Sequence, residues 1–332
     1  MDLIWYALLG LFFAAYLVLG GYDYGVGLLL PAHGDDPDRR AALTAVGPFF
    51  LGNEVWLVAA LGILFGAFPH LEGELLSGLY PAVVVALVGV VLVTVAVQLR
   101  GRPDRLAARA RWDHVVVGGS ALAALGWGAV LGGMLQGVPL DAAGHVGGIG
   151  HLATPFVAAT AITLVTLVAV QGATFLSLRM PKEQAPRRAA LVDRLVPVAL
   201  GAVAVTTLLG LLSADVRAAV NAWAFLPVLL IVVVLGAARA FAHRRPGWAF
   251  AASSVALVAP VLVVGLGLYP AALVSTVDPA ATLTVAEAAA APSTLRLLSW
   301  LALPLVPVLI GFQAMSWWVF RGRIDGKAPV YW

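Results

Sequence analysis

The chain has 332 residues, of which 61% are hydrophobic and only 11% charged, with a mean hydropathy of +0.97. A soluble domain carries roughly 25% charged residues, so a soluble enzyme, a nucleic-acid binder and a disordered chain are all excluded. The net charge of +3 speaks of orientation in a bilayer rather than of an acidic partner, and the absence of cysteine rules out disulfides and thiolate-held metals within the chain.

The apolar runs are long and do not alternate, which predicts an all-α polytopic membrane protein rather than a barrel. The chain opens Met1-Asp2-Leu3 without a basic stretch, and its apolar run reaches about Leu30, too long for a cleaved signal. It reads as the first of nine spans, at roughly 3–30, 48–68, 76–99, 114–135, 153–177, 195–213, 219–241, 248–269 and 297–320. The segment 195–213 is the weakest, being rich in small residues. Breakers such as His33-Gly34-Asp35-Asp36-Pro37, Arg102-Pro103-Asp104 and Pro181-Lys182-Glu183 mark the connections. Residues 1–332 read as a single integral domain. The connection at roughly 270–296, rich in Ala, Thr and Ser, is expected to pack on the outer surface or against a partner.

Charge placement tests this division. Of the 20 Lys and Arg, 18 fall after spans one, three, five and seven and in the C-terminal tail; the other two are Arg217 and Arg296. By the positive-inside rule the N-terminus lies outside and the C-terminus in the cytoplasm. Trp317 and Trp318, followed by Arg321 and Arg323, read as an inner aromatic belt with a basic stop.

Ionisable groups inside a membrane are costly and point to function. On these spans they are Asp23, in Gly20-Gly21-Tyr22-Asp23-Tyr24-Gly25-Val26-Gly27, and Glu54, in Gly52-Asn53-Glu54-Val55-Trp56-Leu57. At 1.5 Å per residue, Asp23 is about 12 Å from the inner end of its span and Glu54 about 9 Å from the start of the next. Both therefore sit in the cytoplasmic half, where protons would enter a buried site. A structural role is the alternative: Asp23 bonding a neighbouring backbone, Asn53 bridging helices, Trp56 simply packing. For Gln98, Gln171 and Thr174 a structural role is the default, and Ser253, Ser254, Gln313 and Ser316 are expected to satisfy themselves on helix carbonyls. The six histidines fall in loops or near interfaces, and the four methionines form no axial pair with them. No haem or other metal is expected on this chain.

These residues carry a resemblance. Gly20 to Gly27, Gly52-Asn53-Glu54-Val55-Trp56-Leu57, Phe65-Gly66-Ala67-Phe68-Pro69, Gln136-Gly137-Val138-Pro139, Gln171-Gly172-Ala173-Thr174 and Trp317-Trp318 with Arg321-Gly322-Arg323 follow the order found in subunit II of the cytochrome bd-type quinol oxidases. The chain resembles that family over nearly its whole length. The resemblance implies two four-helix bundles plus one peripheral helix in a bacterial cell membrane. It implies an oxidoreductase that couples quinol oxidation to reduction of oxygen to water. Haem b, with haem d left open, is expected on subunit I; membrane quinol and small extra subunits are the other expected partners, and a lipid quinone is compatible with this chain.

The resemblance makes this a non-catalytic subunit. Asp23 matches the family's first-helix acid and a proton path, Trp56 the tryptophan beside an oxygen passage, and Asn53 belongs to the same motif. Acids found in many members are replaced here by Leu51 and Gly20; Gln98 and Val93 replace an acid and an arginine of some members. Glu54, three residues from Leu51, is expected to take over the missing carboxylate's task. A proton-coupled secondary transporter and a purely structural assembly subunit remain the alternatives.

Overall fold

The computed structural model describes residues 1–141 and 143–324, so Lys327 of the basic tail lies outside the described residues. Among these, nine helices are long and apolar enough to cross a membrane. They are α1 (Asp2–Leu28), α2 (Phe50–Ala67), α3 (Tyr80–Leu99), α4 (Leu106–Gln136), α5 (Pro155–Arg179), α6 (Ala185–Leu212), α7 (Phe225–Phe241), α8 (Pro246–Leu268) and α9 (Pro292–Val319). The weak segment 195–213 is the second half of α6, a 28-residue helix that runs through Pro197. Likewise α4 begins at Leu106, so Trp112 and Asp113 are helical rather than part of the preceding connection. In both cases the first turns are polar and fall outside the hydropathy signal, because they extend the helix beyond the apolar core.

The first connection also holds an eleven-residue amphipathic helix, Asp36–Val46, that hydropathy alone does not reveal. Asp35 caps it, its side chain accepting from the Asp38 amide at 2.9 Å.

Helix α1 is central and contacts α2, α4, α5 and α8. Its glycines make this possible. A Cβ on Gly25 would collide with the Val168 carbonyl and the Gly172 amide of α5, one on Gly21 would meet Leu257 of α8, and one on Gly27 would strike Ser120 of α4. Close backbone approach through small residues is how apolar helices associate where lipid offers no hydrophobic drive. Consecutive helices α3 to α6 pack in turn, and α7 packs on α8. Helix α9 leans on α2 and is peripheral, with only 6% of its apolar window buried.

At the end remote from the basic loops, the 270–296 connection packs onto the molecule itself. Strand Ala271–Leu273 pairs antiparallel with Leu283–Thr284, and Thr284 and Glu287 form a capping box on a short helix. The Val138 amide donates to Val274 O at 2.9 Å and Ser275 Oγ to Leu140 O at 2.6 Å, tying this cap to the end of α4.

Candidate functional site

Asp23 is 5% exposed, on the face of α1 that meets α2. The Asn53 amide, fully buried, donates to Asp23 Oδ2 at 2.8 Å, to the Tyr22 hydroxyl at 2.7 Å and to Leu19 O at 3.2 Å. Two hydrogens thus serve three acceptors, so the bonding is shared. The second carboxyl oxygen, Asp23 Oδ1, is buried and has no hydrogen-bond partner among the described residues. A buried, half-satisfied carboxyl is expensive and is kept only where something holds it or uses it.

Sequence reasoning missed the next link. Gln313 of α9 was expected to satisfy itself on a helix carbonyl. Instead its Nε2 donates to Asn53 Oδ1 at 3.3 Å, and its Oε1 accepts from Trp56 Nε1 at 3.2 Å. Gln313 therefore joins Trp56, Asn53 and Asp23 into one network across α9, α2 and α1. The only signal was a polar side chain in an otherwise apolar helix. Trp56 is 7% exposed and packs on Phe12, ring centroids 5.3 Å apart.

Glu54 turns the other way. It is half-buried, and its Oε1 lies 2.5 Å from Thr94 Oγ1 of α3. Asp23 and Glu54 thus flank α2 on different sides with no hydrogen bond between them, while Leu51 is 55% exposed and points outward. Val93 is buried against Gly119 of α4.

The remaining candidates separate. Gln98 lies exposed in the last turn of α3. Gln171 and Thr174, fully buried on α5, join α8 instead: Gln171 Nε2 donates to Ser254 Oγ at 2.9 Å, and Thr174 Oγ1 shares a 2.8 Å bond with Ser253. Ser253 and Ser254 also donate to Phe250 O at 2.9 Å, as expected of hydroxyls in a helix. Trp317 is a correction to the belt reading. It packs among Phe49, Phe250, Phe175 and Tyr22, with centroids 4.8 Å from Phe49, whereas Trp318 is 66% exposed under the Arg321 guanidinium. The two adjacent residues point about 100° apart around α9, and only the second has the exposure of a belt residue.

An open cleft of about 380 Å³ borders the network, lined by Val18, Leu19, Trp56, Ile310, Gln313 and Trp317 among others. A second cavity of about 300 Å³, near the remote ends of α4 to α8, is lined by Phe156, Thr160, Thr163, Thr206 and Asn221 among others, with no His or Met in its wall. Five of the six histidines bond other groups, none of them facing this cavity: His33 with Leu29 O, His114 with Ala110 O, His145 with Asp141, His151 with Gly78 O and His243 with Asp193. That donor set does not fit a haem, which needs axial imidazole or thioether ligands facing one cavity.

The fold and site define a nine-span helical membrane subunit whose central helix carries a carboxylate held by a buried amide network. The chain belongs to the cytochrome bd terminal oxidase subunit II family, whose profile matches residues 1–320. It is 29% identical over 330 residues to cytochrome bd ubiquinol oxidase subunit 2 of Bacillus subtilis strain 168, covering 98% of each chain. It is also 29% identical over 360 residues to cytochrome bd-I ubiquinol oxidase subunit 2 of Escherichia coli K12, covering 98% of this chain and 95% of that one. In fold it matches a chain of the bd oxidase from Geobacillus thermodenitrificans with a TM-score of 0.71 at 20% identity, over 96% of this chain and 98% of that one.

Proposed function

We propose that this chain is the haem-free subunit II of a bd-type terminal oxidase that couples quinol oxidation to reduction of oxygen to water. Family membership over residues 1–320 supports the activity. The placement of the site supports the chain's own part in it: a proton path through Asp23 and Glu54, and assembly with a haem-bearing subunit I. The haems, b and in some complexes d, supply electron transfer and oxygen chemistry from that partner.

The observation that carries the proton reading is the hydrogen inventory around the two acids. Thr94 Oγ1 has one hydrogen but lies 2.5 Å from Glu54 Oε1 and 2.8 Å from Val90 O. One hydrogen serves one of these well. A proton on Glu54 completes the set, with the carboxyl donating to Thr94 and Thr94 to Val90. Asp23 Oδ1, buried and unpartnered, offers a second place for a proton. Asn53 positions Asp23, and Gln313 positions Asn53. The apolar cleft beside Trp56 supports access for a small apolar gas, and the 300 Å³ cavity between α4 and α8 has room for part of a lipid quinone.

The helix contacts support one integral domain built around α1, with α9 at its periphery; the division into two four-helix bundles rests on the family resemblance. The side bias of Lys and Arg supports a cytoplasmic C-terminus in a bacterial cell membrane. Small additional subunits belong to the same reading.

Replacing Glu54 by Gln in the purified complex tests the proton role. Slowed oxygen consumption with an unchanged haem spectrum supports it; unchanged turnover and proton uptake overturn it. Purification itself separates the alternatives, since an oxidase subunit brings a stoichiometric haem-bearing partner, whereas a transporter is active when reconstituted alone.

A further inference from the structure

On the basic side of the molecule, where the helix Asp36–Val46 meets the end of α3 and the start of α4, six charged groups converge. Asp36 accepts from Arg100 Nη2 at 2.8 Å and from Arg109 Nη1 at 3.1 Å. Asp113 accepts from Arg39 Nη1 and Arg100 Nη2, both at 3.2 Å, and pairs with Arg100 Nε. Arg40 completes the group, and no carboxylate pairs with it among the described residues. Four guanidiniums therefore face two carboxylates, and two positive charges stay uncompensated. The imbalance is local and structural. Arg100 is 4% exposed, and Arg39 keeps a buried Nε with no partner.

Between these groups lies a pit of about 20 Å³, walled by Arg40, Arg100 and Arg109 on its charged side and by Leu43, Thr44 and Val97 on the other. A space of this size holds one oxygen atom with its hydrogens, not a whole anion. An occupant must insert a single oxygen and leave its bulk outside. A phosphodiester on a membrane surface has that shape and sign, and guanidiniums bind its oxygens in fixed forks. Basic pockets between helices at a bilayer surface are suited to anionic headgroups.

We propose that the pit bounded by Arg40, Arg100 and Arg109 binds the phosphate of an anionic phospholipid. One phosphate oxygen enters beside Arg100 and Arg109, and Arg40 closes over the headgroup. The site is distinct from the Asp23 network and does not depend on the proton path.

Arg40 is the residue to change, because it is exposed and its side chain is in no ion pair, so its loss leaves the Asp36 and Asp113 pairs intact. The intact complex would be incorporated into phosphatidylcholine nanodiscs doped with phosphatidylglycerol, and bound lipid counted by native mass spectrometry. Arg40→Gln is expected to weaken phosphatidylglycerol binding about fivefold, the worth of one basic residue near a surface. Arg40→Lys retains most of it, and Arg111→Gln, on an exposed arginine outside the pit, leaves it unchanged. Equal retention by Arg40→Gln overturns the site, as does an equal loss in Arg111→Gln, which would mean diffuse charge only. Displacement of the lipid by millimolar inorganic phosphate would contradict a lipid site and indicate a free-anion one.

Discussion

Asn53 Nδ2 lies 2.8 Å from Asp23 Oδ2 while Asp23 Oδ1, in the same carboxyl group, has no partner. One amide on α2 thus fixes the orientation of the acid on α1 without saturating it. Replacing Asn53 by Leu strips the acid of that bond and leaves the Tyr22 hydroxyl without its amide donor. Unsatisfied buried polar groups cost ~1–3 kcal/mol each. The Asn53→Leu complex is expected to lose several degrees of thermal stability by haem-monitored melting and to turn over more slowly, whereas an unshifted melt would mean that the amide bears no load.

Gln313 links Asn53 to Trp56 from a helix that is otherwise mostly exposed. Gln313→Leu preserves size and apolar packing but removes both bonds. The expected cost is about 1–2 kcal/mol, with a shifted Trp56 emission and faster proteolysis near α9. Gln313→Glu retains an acceptor for Trp56 and is expected to keep the emission close to that of the parent chain.

The α1–α5 crossing depends on Gly25 and Gly172. Overpacking a fitted contact costs ~1–3 kcal/mol or more, and here the obstruction is backbone that cannot rotate away. Gly25→Ala is expected to abolish accumulation of the assembled complex. Gly62→Ala, on α2 with nothing within 4 Å, is expected to leave it unchanged. Both outcomes are read by haem content per membrane protein.

His33 lies outside the spans, with Nδ1 2.9 Å from Leu29 O and Nε2 buried without a partner. Burial pushes its pKa below the usual 6.5, the adjacent Arg188 adds to this, and Asp38 opposes it. The unfolded chain therefore binds a proton at higher pH than the folded one. Stability from this group is present above about pH 6.5 and is lost as pH falls below it toward the lowered folded value. His33→Gln is expected to flatten the acid limb of a melting-temperature profile, provided Asp38 and Arg188 still pair. An equally steep limb in the variant would rule this out.

The nine spans and the burial of Asp23 inside the helix bundle were legible in the sequence, because hydropathy reads length and a lone acid stands out against it. Asn53 was legible through its motif, but its three acceptors were not. What the sequence hid was lateral. Residues 53 and 54 are adjacent in the chain yet turn to α1 and α3, which no spacing rule reveals without knowing where α2 sits. Glu54 and Leu51 share a helix spacing, but Leu51 faces outward while Glu54 finds Thr94. Gln313 was passed over because a single amide in an apolar helix satisfies itself as often as it bridges. The arginine pit was hidden because Arg39, Arg100 and Asp113 lie far apart in sequence and are joined only by the packing of α3, α4 and the amphipathic helix.

The central claim is that Asp23 serves proton delivery rather than helix packing, and proton uptake by the reconstituted complex tests it most directly. Asp23→Asn keeps the shape and the hydrogen-bonding capacity of the side chain but removes the titratable proton. In vesicles supplied with quinol and oxygen, the variant is predicted to assemble with normal haem content and melting temperature while oxygen consumption and its coupled proton uptake fall together by about a hundredfold, the low end of what a positioned acid or base contributes. Full turnover and uptake in a normally assembled Asp23→Asn complex would contradict the account.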